Sequence, residues 1–190
     1  MEAKTELRRS IKERLSRLTE NDRRVESQII VRELRKLLPN NPRIIAAYSP
    51  YVDEPNINPL ITELLNEKNV ICMGKVDGNR MVMHRIQSHE DLHRNPVTNI
   101  IEPKEMSPIE ESVIDVVLVP GRAFGIDGSR LGRGNGGYDR WIRDQRHRNP
   151  HTLMIGICFD CQIVQNIPME EHDECVNIVV TASKIFRKEM

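Results

Sequence analysis

Apolar residues in the first part of the chain recur with the period of a helix. Leu7, Ile11, Leu15 and Leu18 form one stripe with charges between them, which predicts an amphipathic helix over residues 4–18. Thr19 is placed to cap a second helix carrying Val25, Ile29, Leu34, Leu37 and Leu38 and closing near Pro39-Asn40-Asn41-Pro42. The pattern then changes. Residues 44–48 and 69–75 are short apolar runs bounded by turn residues, as in buried strands, and residues 59–67 between them have helical spacing. Strand, loop, helix, strand is a βαβ unit, which implies a parallel sheet that binds ligands at the C-terminal ends of its strands. Residues 81–86 alternate after an Asp77-Gly78-Asn79 turn and predict another strand, while residues 87–108 are polar, irregular and broken by prolines. Residues 114–120 are the clearest buried strand, followed by residues 152–158 and, last, residues 176–181. The expected fold is therefore α/β: a single three-layer domain over residues 1–190, with a mainly parallel sheet and helices on both faces. Strand order is left open by the pattern.

Composition narrows the function classes. Lys and Arg number 28 against 28 Asp and Glu, so the chain has no basic excess for general nucleic-acid or anionic-membrane binding, although a local basic pocket is allowed. Aromatics are 4% of residues, too few for base-stacking platforms. Cys72, Cys158, Cys161 and Cys175 include one C-x-x-C spacing with no second pair to complete a zinc site, so they are expected to be reduced thiols. No apolar run approaches the roughly 20 residues that span a bilayer, and the charged first segment does not resemble a signal peptide. A soluble cytoplasmic monomer acting on small molecules is expected, with no nucleic-acid or membrane partner. His84, His89 and His93 lack ligand-like companions and read as surface residues.

Candidate chemistry concentrates between Val119 and Asp139. Gly132, Gly134, Gly136 and Gly137 let the backbone approach a ligand, and Arg122, Arg130 and Arg133 stand among them ahead of a helix-like segment beginning at Asp139. Exposed amides, a helix N-terminus and guanidinium groups together suit phosphate; the alternative is a solvated surface loop. Lys4 and Arg8 project from one helix face, which by itself describes an ordinary cationic surface. Glu54, at the end of the first predicted strand, is by itself a loop carboxylate. Met81 is either core filler or pocket wall. Asp139 could cap its helix and Asp173 could close a turn.

Pro120-Gly121, Phe124, Asp127-Gly128, Arg130-Leu131-Gly132-Arg133-Gly134, Gly136 and Tyr138-Asp139-Arg140 closely resemble the signature of the 5-formyltetrahydrofolate cyclo-ligases, also called methenyltetrahydrofolate synthetases. The likeness extends from Lys4 to Thr181 and includes Lys4-Thr5-Glu6-Leu7-Arg8, Ile101-Glu102-Pro103 and the Ile167-Pro168 step before Asp173. The resemblance implies cyclisation of 5-formyltetrahydrofolate to 5,10-methenyltetrahydrofolate, with ATP as co-substrate becoming ADP and phosphate. It implies that ATP meets Lys4, Arg8, Arg130, Leu131, Gly132, Arg133, Gly134, Asn135, Gly136, Gly137 and Tyr138. The folate would meet Arg8, Ser49, Tyr51, Glu54, Met81, Arg133, Gly134, Asn135, Gly136 and Gly137, with Glu54 accepting paired N–H donors of the pterin. The resemblance further implies that Arg133 and Tyr138 take the catalytic roles and that Asp139 with Asp173 binds Mg2+.

Three positions depart from the family pattern. Many members have Lys at Asn135, where others have Gly, and an aromatic at Gly137; some carry an aromatic around Thr98. A neutral Asn135 supplies no positive charge to phosphate, and two aromatic supports for the folate are missing. These departures keep a second reading open: a family-derived nucleotide- or folate-binding protein whose catalysis is lost or altered. A third is an unrelated α/β sugar-phosphate enzyme with a similar phosphate loop.

Overall fold

A computed structural model describes residues 2–38, 43–78, 80–96, 99–104, 107–134 and 136–188. The helix stop at residues 39–42, Asn79 of the turn, Thr98 and Asn135 lie outside the described residues. Helix α1 (Glu2–Ser16) is followed by α2 (Glu20–Leu37), whose start is fixed by the Thr19 side chain. Thr19 Oγ1 accepts from Asp22 N at 3.1 Å and Asp22 Oδ2 accepts from Thr19 N at 2.9 Å, a reciprocal capping box. The βαβ unit follows as β1 (Ile44–Ala47), α3 (Asn58–Asn66) and β2 (Val70–Asp77), with β1 and β2 parallel. Strand β3 (Arg80–Ile86) returns antiparallel to β2.

The polar stretch after β3 is less irregular than its composition predicts, since it holds a small ribbon of β4 (Leu92–Arg94) and β5 (Ile101–Pro103). Strand β6 (Val116–Pro120) leads into the glycine-rich stretch. That stretch is not all loop: β7 (Ala123–Gly125) and β8 (Arg130–Leu131) pair antiparallel within it. Helix α4 (Gly137–Arg148), β9 (Leu153–Ile157), the short β10 (Ile163–Val164), β11 (Ile178–Val180) and β12 (Ile185–Arg187) complete the order. Strand β12 lies beyond the expected last strand and pairs antiparallel with β11.

The main sheet has the order β12-β11-β9-β6-β1-β2-β3, parallel through its five central strands and antiparallel at both edges. One face buries Ile30 and Leu34 of α2 with Leu60, Ile61 and Leu64 of α3. The other buries Trp141 and Ile142 of α4 with Val117, Val119, Met154 and Val179. Helices thus cover both faces, as the near-continuous apolar strands require of a parallel sheet. Helix α1 instead packs Ile11 and Leu15 on Ala123, Leu131 and Phe159, beside the small sheet of β10, β7 and β8.

The order in which strands are added reverses at β1, which has β2 on one side and β6 on the other. In open α/β sheets the crevice at such a switch, outside the C-terminal strand ends, is where ligands bind. The loops leaving β1 and β6 are those holding Glu54 and the glycine-rich stretch. Among the histidines, His84 is not a surface residue: it is 0% exposed, and both ring nitrogens lack a hydrogen-bond partner among the described residues. The cause is a non-local cover, because Ser107 O accepts from Arg85 N at 2.8 Å and Pro108 bridges to His84 along the outer side of β3.

Candidate active site

The crevice at the switch point is a pocket of about 320 Å3, at the lower end of the range for small-molecule sites. Ser49, Tyr51, Glu54 and Met81 line it together with Arg130, Gly132, Arg133, Gly136, Gly137, Tyr138 and Asp139. Residues from three distant parts of the chain therefore meet at one place. Lys4, Arg8 and Asp173 do not line the pocket. Of the three, Arg8 reaches the glycine-rich loop: its Nε donates to Gly132 O at 3.0 Å. That bond brings helix α1 to the loop.

The loop can present its backbone because its glycines carry the turns. Gly134 has φ 113° and Gly136 φ 66°, conformations in which a Cβ would be strained. Gly136 is also the N-cap of α4, with no side-chain hydrogen bond to the helix end. A helix N-terminus attracts anions. Asp139 lies in the first turn of α4 and is not its cap. Its Oδ1 accepts from Arg130 Nη2 at 2.7 Å, and the Glu174 amide donates to the same oxygen at 3.5 Å. Arg130 is 3% exposed, donates from Nη1 to Pro120 O at 3.1 Å, and lies 5.7 Å from the Tyr138 ring centroid. Leu131 is buried in the core under α1, so only its backbone can serve a ligand.

Glu54 sits at the pocket floor, 7% exposed. Burial raises its carboxyl above the ordinary value, against the opposing charge and hydrogen bonds of Arg133 and the Tyr51 amide. Burial, with the nearby Glu54 carboxylate, pushes the Tyr138 phenol up, so it remains a neutral hydroxyl in the working range. Outside the pocket, Lys4 Nζ donates to Asp173 Oδ2 at 2.5 Å and to Glu170 Oε2 at 2.9 Å. Burial opposes ionisation of Asp173, but the hydrogen bonds from Lys4 and the Glu170 amide outweigh it and hold the carboxyl low.

Donor atoms of Glu170, His172 and Asp173 lie within 4.8 Å of one another, the one such group among the described residues; Asp139 is not part of it. The structure therefore keeps the two predicted metal carboxylates on adjoining segments, 139 touching the Glu174 amide, rather than in one cluster. The donor chemistry fits magnesium, a hard ion that takes one or two carboxylates and completes its shell with water and phosphate. Glu170 and Asp53 were missed by the sequence reading. Each stands beside a residue that was named, and each acquires its significance only through a partner distant in sequence.

The model of the 5-formyltetrahydrofolate cyclo-ligase family matches residues 1–182. This chain belongs to that family. It is 29% identical to the Mus musculus 5-formyltetrahydrofolate cyclo-ligase over 188 residues, covering 94% of this chain and 93% of that protein. It is likewise 29% identical to the Saccharomyces cerevisiae 5-formyltetrahydrofolate cyclo-ligase over 201 residues, covering 95% of each. The fold superposes on the NMR structure of Aquifex aeolicus 5,10-methenyltetrahydrofolate synthetase with a TM-score of 0.84 and 31% identity, over 98% of this chain and 93% of the other. The family is one of ligases, and family membership accounts for the length of the ordered motif around Arg130–Asp139. Gly137, where many cyclo-ligases have an aromatic, lines the pocket without a side chain. No helix among the described residues is long and apolar enough to cross a membrane.

Proposed function

We propose that the chain catalyses ATP- and Mg2+-dependent cyclisation of 5-formyltetrahydrofolate to 5,10-methenyltetrahydrofolate, releasing ADP and phosphate. One observation carries the reading beyond family membership. The loop spanning Gly132 to Gly137 has Arg8 of the N-terminal helix bonded to its Gly132 carbonyl, while Gly132, Gly136 and Gly137 also line the pocket holding Glu54 and Tyr138. A phosphate chain along the loop and a folate in the pocket would then meet at Arg133 and Tyr138.

The chemistry needs such a meeting. The formyl group is an amide-like carbonyl whose oxygen leaves poorly. Transfer of the γ-phosphoryl group to that oxygen breaks its bond to ADP and gives an iminium phosphate. Attack by N10 on the formyl carbon, loss of the N10 proton to solvent and departure of phosphate leave the methenyl bridge. The protein supplies position and charge. Lys4, Arg8, Arg130 and Arg133 face developing negative charge, loop amides hold phosphate oxygens, and Tyr138, kept neutral, orients the formyl oxygen. Asp139 and Asp173 would hold Mg2+, which neutralises phosphate charge when bound. Ser49, Tyr51, Glu54 and Met81 form the folate side of the site. The chain acts in this reading as one domain and as a cytoplasmic monomer, the latter checked by sedimentation of the purified protein.

Incubating the pure protein with 5-formyltetrahydrofolate and Mg-ATP should generate the absorbance of the methenyl product. Absence of product while both substrates bind would favour the second reading, a binding protein with lost or altered catalysis, which the bare pocket wall at Gly137 supports. In that case Gly137→Tyr should restore turnover.

A further inference from the structure

Arg133 and Glu54 are the two residues on which the proposed site depends most, and each is occupied by the other. Arg133 Nε and Nη2 donate to Glu54 Oε1 at 3.1 and 2.7 Å, while Glu54 Oε2 accepts from Tyr51 N at 3.0 Å. The same guanidinium reaches Asp53: Nη2 donates to Oδ1 at 2.6 Å and Nη1 to Oδ2 at 3.4 Å. Its Cζ lies 4.4 Å from the Tyr51 ring centroid. Asp53 is anchored in turn by Arg122, whose Nη1 donates to Asp53 Oδ2 at 2.6 Å. Asp53 does not line the pocket; Glu54 does.

Phosphate needs the Arg133 guanidinium, and ring N–H donors of a bicyclic amide-like heterocycle need the Glu54 carboxylate. Neither ligand can make its full contact while the Arg133–Glu54 pair persists. Whichever binds first must break the pair, and the second then meets a residue already released. A cost borne once and shared by two ligands is, by linkage, positive coupling between them. We propose that Asp53 is a positioning residue that holds Arg133 against Glu54 in the ligand-free protein, and that release of this pair makes binding of the nucleotide and of the folate mutually reinforcing. The proposal rests on the functional reading above. Asp53 acts only through Arg133, and Arg122 fixes the carboxylate so that it holds Arg133 in this orientation.

The test is calorimetric titration of the full chain with the magnesium complex of a non-hydrolysable ATP analogue, with and without saturating 5-formyltetrahydrofolate. In the wild type, folate should tighten nucleotide binding about tenfold, within the usual span of coupling between sites. Asp53→Asn removes the charge that holds Arg133, so the analogue alone should bind about threefold tighter than to wild type and the folate effect should shrink correspondingly. Asp53→Glu, which keeps the charge, should retain the wild-type ratio. A merely structural role for Asp53 would weaken both ligands and leave the ratio alone, overturning the proposal. Binding of both ligands to the wild type without any coupling would overturn it too, while leaving the functional reading intact. Failure of the wild type to bind either ligand would remove the functional reading and this proposal with it.

Discussion

Replacing Arg130 with methionine isolates the contribution of a buried charge that the loop motif placed next to a helix. The Arg130 side chain is 2% exposed and its partner Asp139 is 12% exposed, at 2.7 Å. Removing one member of a buried pair costs about 3–5 kcal/mol, because the other charge is left without compensation. Two features of Asp139 reduce that cost. It sits in the first turn of α4, where the helix end favours a carboxylate by about 0.3–1 kcal/mol, and it retains some contact with water. The expected loss is about 2–4 kcal/mol. Trp141, the only tryptophan, lies buried in α4 two residues past Asp139 and reports on this part of the structure. Urea unfolding followed by its fluorescence should show a midpoint lower by about 1–2 M, taking a slope of about 2 kcal/mol per M. Adding Asp139→Leu removes the stranded charge, so the double variant should be more stable than the sum of single effects by about 1–3 kcal/mol. It should nonetheless remain inactive in the cyclisation assay, which separates folding from chemistry. A midpoint shift below about 0.5 M for Arg130→Met, with unchanged slope, would refute the account of this pair.

The pocket wall and its floor give two more tests. A Cβ on Gly74 would stand 2.7 Å from Met81 Sδ and 2.9 Å from its Cγ, so Gly74→Ala should push the flexible Met81 side chain into the pocket both residues line; the KM for folate should rise about tenfold with the KM for ATP unchanged, steady-state kinetics in each substrate being the measure. Burial raises the Glu54 carboxyl in the folded protein, so the folded state binds its proton more tightly than the unfolded state. The stability this contributes is fully present below the unfolded value, about 4.3, and is lost as pH rises through the higher folded value. The stability of wild type relative to Glu54→Gln, the neutral isostere of the protonated acid, should therefore fall as pH rises from about 4 to 7, read from the two urea midpoints; a relative stability that rises over that range would contradict the burial argument.

Local order along the chain was enough for much of this protein. The period of Leu7, Ile11 and Leu15, the Thr19 cap and the apolar runs at Ile44 and Val116 each depend on neighbours a few residues away, so helices, strands and the α/β class could be read directly. The ordered glycine and arginine motif likewise pointed to the loop that borders the pocket, and to Glu54, Met81 and Tyr138 beside it. Tertiary structure decided whatever depends on partners far apart in sequence. Strand order placed β1 between β2 and β6 and so made a crevice of two loops nearly seventy residues apart, as the Arg122–Asp53 pairing across that separation records. His84 is buried because residues 107 and 108 run beside it. Arg130 turned inward to Asp139, and Arg133 turned to Glu54 and Asp53. A charged side chain's spacing in the sequence says which face it can leave from. Which opposite charge it finds is a property of the packed chain, where desolvation makes an unpaired guanidinium costly and the nearest carboxylate takes it.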